Sequence, residues 1–63
     1  MKLMTINELS KILQVKCKTI YDWVHKKRIP YYKLEGSLRF NEDEILKWLK
    51  SKKQNTYNTQ DMA

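Results

Sequence analysis

Seven cationic side chains, Lys16, Lys18, Lys26, Lys27, Arg28, Lys33 and Arg39, fall between residues 16 and 39, where only Asp22 and Glu35 oppose them. That segment holds five of the six excess positive charges in a chain of 63 residues. Such a local field supports the binding of a polyanion, either nucleic acid or an acidic membrane surface. Other chemistries find little footing. The single Cys17 has no partner for an internal disulfide, and with the single His25 it falls short of a zinc-ligand set, so no metal and no other cofactor is expected. Glu42, Asp43 and Glu44 open a helical pattern that ends in Lys47, Lys50, Lys52 and Lys53. That order complements the helix dipole and marks the acids as structural, so no catalytic residue is assigned.

The charges need elements to position them, and the first of these announces itself by its caps. Thr5 and Glu8 stand in capping-box relation, and Met4 and Leu9 take the flanking places of a hydrophobic staple, so a first helix begins at Ile6. Ile6, Leu9, Ile12 and Leu13 follow helical spacing and form a stripe expected in the core. Asn7, Ser10, Lys11 and Gln14 are left to water or to a phosphate. Val15 is apolar in a polar stretch and is expected to plug the corner before a second helix over Lys18 to Lys27. On that helix Ile20, Trp23 and Val24 share one side, while Lys18, Asp22 and His25 take the other, flanked by Thr19 and Tyr21. Two short helices joined so tightly, with cations on the second, have the form of a helix-turn-helix.

Ile29-Pro30 is expected to stop the second helix. Tyr31 to Leu34 then reads as a strand, Glu35-Gly36-Ser37 as a turn and Leu38 to Phe40 as the returning strand, with Gly36, the only glycine, supplying the reversal. Asn41 is the next N-cap, with Glu44 at the third helical position and a second staple between Phe40 and Ile45. Ile45, Trp48 and Leu49 form the third buried stripe. Residues 1–53 thus read as one domain and 54–63 as a disordered polar tail. The predicted fold is mainly α with a small β-hairpin, three helices plus a two-stranded antiparallel wing. No apolar run reaches the roughly 20 residues of a membrane span or the form of a signal peptide, and the lone cysteine suits a reducing cytoplasm. A membrane-binding helix would also pair its cations with an exposed apolar face, which so small a core needs for itself, so duplex DNA is the favoured polyanion.

The run Met4-Thr5-Ile6-Asn7-Glu8-Leu9, then Thr19-Ile20-Tyr21-Asp22-Trp23-Val24, Arg28-Ile29-Pro30-Tyr31-Tyr32-Lys33-Leu34, Leu38-Arg39-Phe40 and Ile45-Leu46-Lys47-Trp48-Leu49 resembles the excisionase-type, MerR-like winged helix-turn-helix domains. The resemblance implies that the second helix enters the major groove and the wing follows the backbone or minor groove. It places Lys18, Thr19, Tyr21, Asp22 and His25 at recognition-helix positions and Lys33, Gly36, Ser37 and Arg39 at wing positions. Lys16, just before the recognition helix, and Lys26, in its last turn, join the expected contact set. Asp22 has two readings, an acceptor for a cytosine amino group or an ion pair with Lys18 or Lys26. Tyr21 is read as a phosphate contact or as partly buried on the corner, and His25 as meeting phosphate or solvent rather than serving as a base or ligand. Members of the family commonly carry glycine where Gln14 stands and serine where Cys17 stands, so the turn is expected to be less relaxed and the second helix weakly capped.

MerR-type regulators continue into further helices and a dimerising coiled coil, whereas this chain ends after the third helix. The resemblance therefore implies an excisionase-like architectural factor at duplex DNA, nucleoid-associated in the cytoplasm, with an integrase or adjacent copies of itself as partners and neither a membrane nor a small-molecule ligand. A small transcriptional regulator, the N-terminal domain of a larger regulator or transposase, and a protein-interaction adaptor are the alternatives. The adaptor leaves the basic segment unexplained.

Overall fold

Leu3–Met4 form a short strand, β1, and Thr5 then turns the chain into a helix by the local chemistry its neighbours dictate. In the computed structural model, which describes residues 2–54, Thr5 Oγ1 accepts from the Glu8 N–H at 3.2 Å and Glu8 Oε1 accepts from the Thr5 N–H at 2.9 Å. This reciprocal box starts α1 (Ile6–Leu13) at the expected residue. Of the tail expected over 54–63, all but Gln54 lies outside the described residues.

The second helix, α2, spans Cys17–His25, one residue earlier at its start and two residues shorter at its end than the sequence suggests. Lys16, in extended backbone, is the cap residue, and its carbonyl accepts from the N–H groups of Thr19 and Ile20. Cys17 is therefore not the cap: it lies inside the first turn, and its thiol donates to Asn7 Oδ1 at 3.2 Å. At the other end Pro30 is not the stop. Lys27 takes the left-handed region at φ 55°, its N–H reaches the Val24 carbonyl, and the Arg28 N–H reaches the Trp23 carbonyl. That is a Schellman closure, and α1 ends the same way, with Gln14 at φ 58° and the Val15 N–H on the Ser10 carbonyl. Neither closure uses a glycine.

β2 (Tyr32–Leu34) and β3 (Ser37–Asn41) form the wing, joined by Glu35 and Gly36, both at positive φ (48° and 89°). Two such residues make the I′-type reversal that matches the twist of a hairpin, so the turn is one residue tighter than expected and Ser37 belongs to the strand, paired with Leu34. The sheet has three strands, not two, in the order β1-β3-β2. Met4 pairs with Phe40 and Leu3 with Asn41, and the Glu42 N–H donates to the Lys2 carbonyl. Asn41 caps α3 (Glu42–Ser51), its Oδ1 accepting from the Asp43 and Glu44 N–H groups. Glu44 does not return the favour; its carboxylate accepts from the Tyr32 hydroxyl at 2.8 Å and ties the wing to α3.

Every element except β2 contributes to one core of Met4, Leu9, Ile20, Phe40 and Ile45, closed by Ile29 from the connection. All four staple residues are in it. Ile6, Leu13, Trp23, Val24 and Trp48 pack against it half-buried, but two expected core residues do neither: Ile12 is 59% exposed, because it sits at the edge of the α1 stripe where nothing packs over it, and Leu49 is 37% exposed on the open side of α3. The architecture is a winged helix-turn-helix, mainly α, with a three-stranded sheet.

Two stability outcomes follow. Phe40→Ala should cost about 3–5 kcal/mol while Ile12→Ala stays within about 0.5 kcal/mol, read by urea melts. Gln14→Gly should raise stability by about 0.5–1 kcal/mol, since glycine relieves a left-handed penalty of about 1–2 kcal/mol and returns part of it as chain entropy.

Candidate nucleic-acid interface

The turn between α1 and α2 leaves the outer surface of α2 open. Lys18, Tyr21, Asp22 and His25 are exposed on it, Thr19 is half-buried, and Lys16 and Lys26 are exposed at its two ends. Lys16 supplies no side-chain cap, and the N–H groups of Cys17 and Lys18 find no backbone acceptor among the described residues. A helix start with free donors and lysines on both sides is complementary to a phosphate. Asp22 takes the ion-pair reading: its carboxylate lies 3.2 Å from the Lys26 ammonium, one helical turn on. With both side chains half-exposed the pair adds only about 0.3–0.5 kcal/mol, but it offsets one of the positive charges expected to face DNA.

The wing stands beside this helix and encloses a groove of about 530 Å³ with it. Tyr21 from α2 meets Lys33, Gly36, Ser37 and Arg39 there, so all four expected wing residues gather at one place with a single residue of the recognition helix. Lys16, Lys18, Thr19, Asp22, His25 and Lys26 do not line the groove. The strand register explains how Lys33 arrives: it lies opposite Leu38, and opposed residues share a face, so Lys33 leaves the wing on the side where Leu38 packs on the core. Lys33 makes no hydrogen bond or ion pair among the described residues and is free for a ligand. Gly36 is needed for its backbone rather than for space, since a Cβ there would meet nothing within 4 Å.

Arg39 differs from the sequence expectation. It is half-buried at the base of the wing, where its Nη1 donates to its neighbour Leu38's carbonyl at 2.7 Å. Its charge, with that of Lys2, also acts on Glu8, whose carboxyl is held below the ordinary carboxylate range first by the hydrogen bond from the Thr5 backbone. Arg39 is thus tied to its own strand while it lines the groove. Three further groove residues, Thr5, Ile6 and Asn7, come from the start of α1. Thr5 and Ile6 carry no sequence signal for this role, because one is spent on the cap and the other belongs to the apolar stripe. Asn7 is legible as a polar residue free for phosphate. Its Oδ1 is held by Cys17, which leaves the amide nitrogen to donate.

Among the described residues there is no group of metal-ligating side chains, and no helix is long and apolar enough to cross a membrane. A tight turn, an exposed second helix with cations at its start and a hairpin set against it define a winged DNA-binding module. Residues 3–53 match the family described as "Helix-turn-helix domain", a family of excisionase-like DNA-binding domains, and the chain belongs to that family. No curated protein and no solved structure matches it.

The anchors of the site give opposite pH signatures. Tyr32 is raised above the ordinary tyrosine value, first by its hydrogen bond to Glu44, so its contribution is complete below about pH 10 and is lost as pH rises through the raised value. Glu8 is lowered, so its contribution is present above the ordinary glutamate value and is lost as pH falls through the depressed one. The melting difference between parent and Tyr32→Phe should therefore close as pH rises into alkali, and that between parent and Glu8→Gln as pH falls into acid.

Proposed function

We propose that this chain is an excisionase-like architectural factor that binds duplex DNA sequence-specifically and assists site-specific recombination. The observation that carries the reading is the groove in which Tyr21 of the second helix meets Lys33, Ser37 and Arg39 of the wing, beside an exposed cationic helix. In this reading α2 lies in the major groove with Lys18, Thr19, Tyr21 and His25 toward base edges and phosphates. Lys16 and the free N–H groups at the start of α2 take a backbone phosphate. The strand that leaves the major groove continues past Tyr21 to Lys33, Gly36, Ser37 and Arg39. Asp22 and Lys26 serve chiefly each other.

A single module of this size buries only about 600–1,000 Å² on DNA, so useful affinity calls for adjacent copies or a bound integrase. Family membership in an excisionase-like group supports the recombination role over other uses of the same fold.

If four to six phosphates are engaged, log K should fall against log salt with a slope of about −4 to −5; a flat dependence removes the DNA reading. Lys18→Ala should reduce discrimination at one base position by about 1–3 kcal/mol. Lys33→Ala should weaken cognate and scrambled duplex alike and lower the salt slope by about one. Loss of sequence preference in Lys33→Ala with Lys18→Ala unaffected would move the reading face off α2. Footprints on repeated sites beside a recombination core support excision, and a footprint confined to a promoter replaces it with transcriptional control.

A further inference from the structure

A second concavity lies between the turn after α1, the inner side of α2 and the last turns of α3, and it shares no residue with the groove at the wing. It holds about 370 Å³ and is walled by Leu13, Val15, Trp23, Trp48 and Leu49, the very residues expected to form a closed core. They do not close because three of the elements meet only at their ends there. The two indoles meet in a tilted pair, centroids 5.5 Å apart and planes at 54°, and Trp48 is held by the bond from its Nε1 to the Arg28 carbonyl at 2.8 Å. The wall is therefore preformed, which lowers the entropic cost of filling it.

The rim chooses the occupant. Arg28 and Lys52 border the cleft, with the Lys52 ammonium 5.9 Å from the Trp48 ring centroid, and among the described residues no carboxylate lines it. Duplex DNA has charge to match this rim, but the faces of its bases are stacked within the double helix and cannot lie on the indoles. A second copy has apolar side chains but repeats the net charge of +6. Leucine-like side chains at helical spacing, flanked by carboxylates, satisfy both floor and rim. We propose that this cleft docks an acidic amphipathic helix of a protein partner, on a face that stays open while the wing side engages DNA.

The test uses the full chain labelled with ¹⁵N, whose two tryptophans both lie in the cleft wall. It is titrated with two synthetic helical peptides of identical leucine pattern, one flanked by glutamates and the other by lysines. The glutamate peptide should shift both indole N–H resonances saturably and the lysine peptide should not. Leu49→Gln and, separately, Lys52→Glu should each weaken the glutamate peptide by about tenfold, a change of about 1.4 kcal/mol. Leu49→Gln should keep the parent's melt and its duplex affinity. No shift at millimolar glutamate peptide, equal response to both peptides, or indifference to Leu49→Gln overturns the proposal. Self-association abolished by Leu49→Gln would seat a second copy in the cleft, and indole shifts caused by deleting residues 54–63 would seat the chain's own end there; either overturns it. Failure of duplex binding with the peptide response intact would remove the DNA function and leave this inference standing.

Discussion

Phe40 is wholly buried, and the position of nearly everything else follows from that one side chain. It sits on the central strand of the sheet, so its backbone pairs with Met4 while its ring fills the core between Leu9, Ile20 and Ile45. The next residue, Asn41, caps α3, and the one before it, Arg39, reaches the groove at the wing. Three consecutive residues therefore join the sheet, the third helix and the binding surface. A domain this small has about one buried apolar residue per element, so the ordering of any element depends on the same cluster. The wing shows the consequence most directly. β2 has no buried residue and is held by pairing with β3 and by the Tyr32 bond to Glu44, which makes the hairpin an extension of the core strand rather than a separate unit.

What could be read from the sequence was whatever is decided within about one helical turn. The box at Thr5, the cap at Asn41 and both staples depend on residues two to five apart, and each is present as read, apart from the Glu44 side chain, which turns to Tyr32. The basic segment and the wing residues were legible for the same reason, since their types and order alone specify a hairpin after a cationic helix. The misreadings are all nonlocal or rest on unusual residue choices. A two-residue strand such as β1 has no periodicity of its own and exists only because β3 offers it an edge. Lysine is neither a favoured cap nor a favoured left-handed residue, so Lys16 and Lys27 gave no sign of bounding α2. Ile12 and Leu49 are indistinguishable from core residues by spacing, and only the absence of a neighbouring element leaves them exposed. Cys17 as a partner of Asn7 spans ten residues and lies beyond any local rule.

The non-glycine residues at positive φ, Gln14, Lys27 and Glu35, all fall at bends of the chain. Two of them bracket α2 and the third forms the wing turn. Each carries a penalty of about 1–2 kcal/mol that glycine would largely avoid. In return each keeps a side chain at a bend, and Lys27 keeps a charge within the basic segment. Strain of this kind persists only where the surrounding structure over-determines the backbone. Here the Schellman bonds at both helix ends and the hairpin pairing supply that constraint.

Charge and apolar surface are also sorted between the two concavities, and the sorting follows from the phase of α2. Ile20 faces the core, so Tyr21, the following residue, is turned by about 100° toward the wing, while Trp23 and Val24 return toward α3. One helix thus presents a polar phosphate-sized surface on one side and an indole wall on another, with a single buried isoleucine holding the rotation between them. A rotation of α2 large enough to close the Trp23–Trp48 cleft would withdraw Tyr21 from Lys33 and Ser37 and expose Ile20. Burying more of the cleft by turning α2 would therefore disassemble the groove, and the half-buried indoles are the geometric consequence of positioning this helix against the wing.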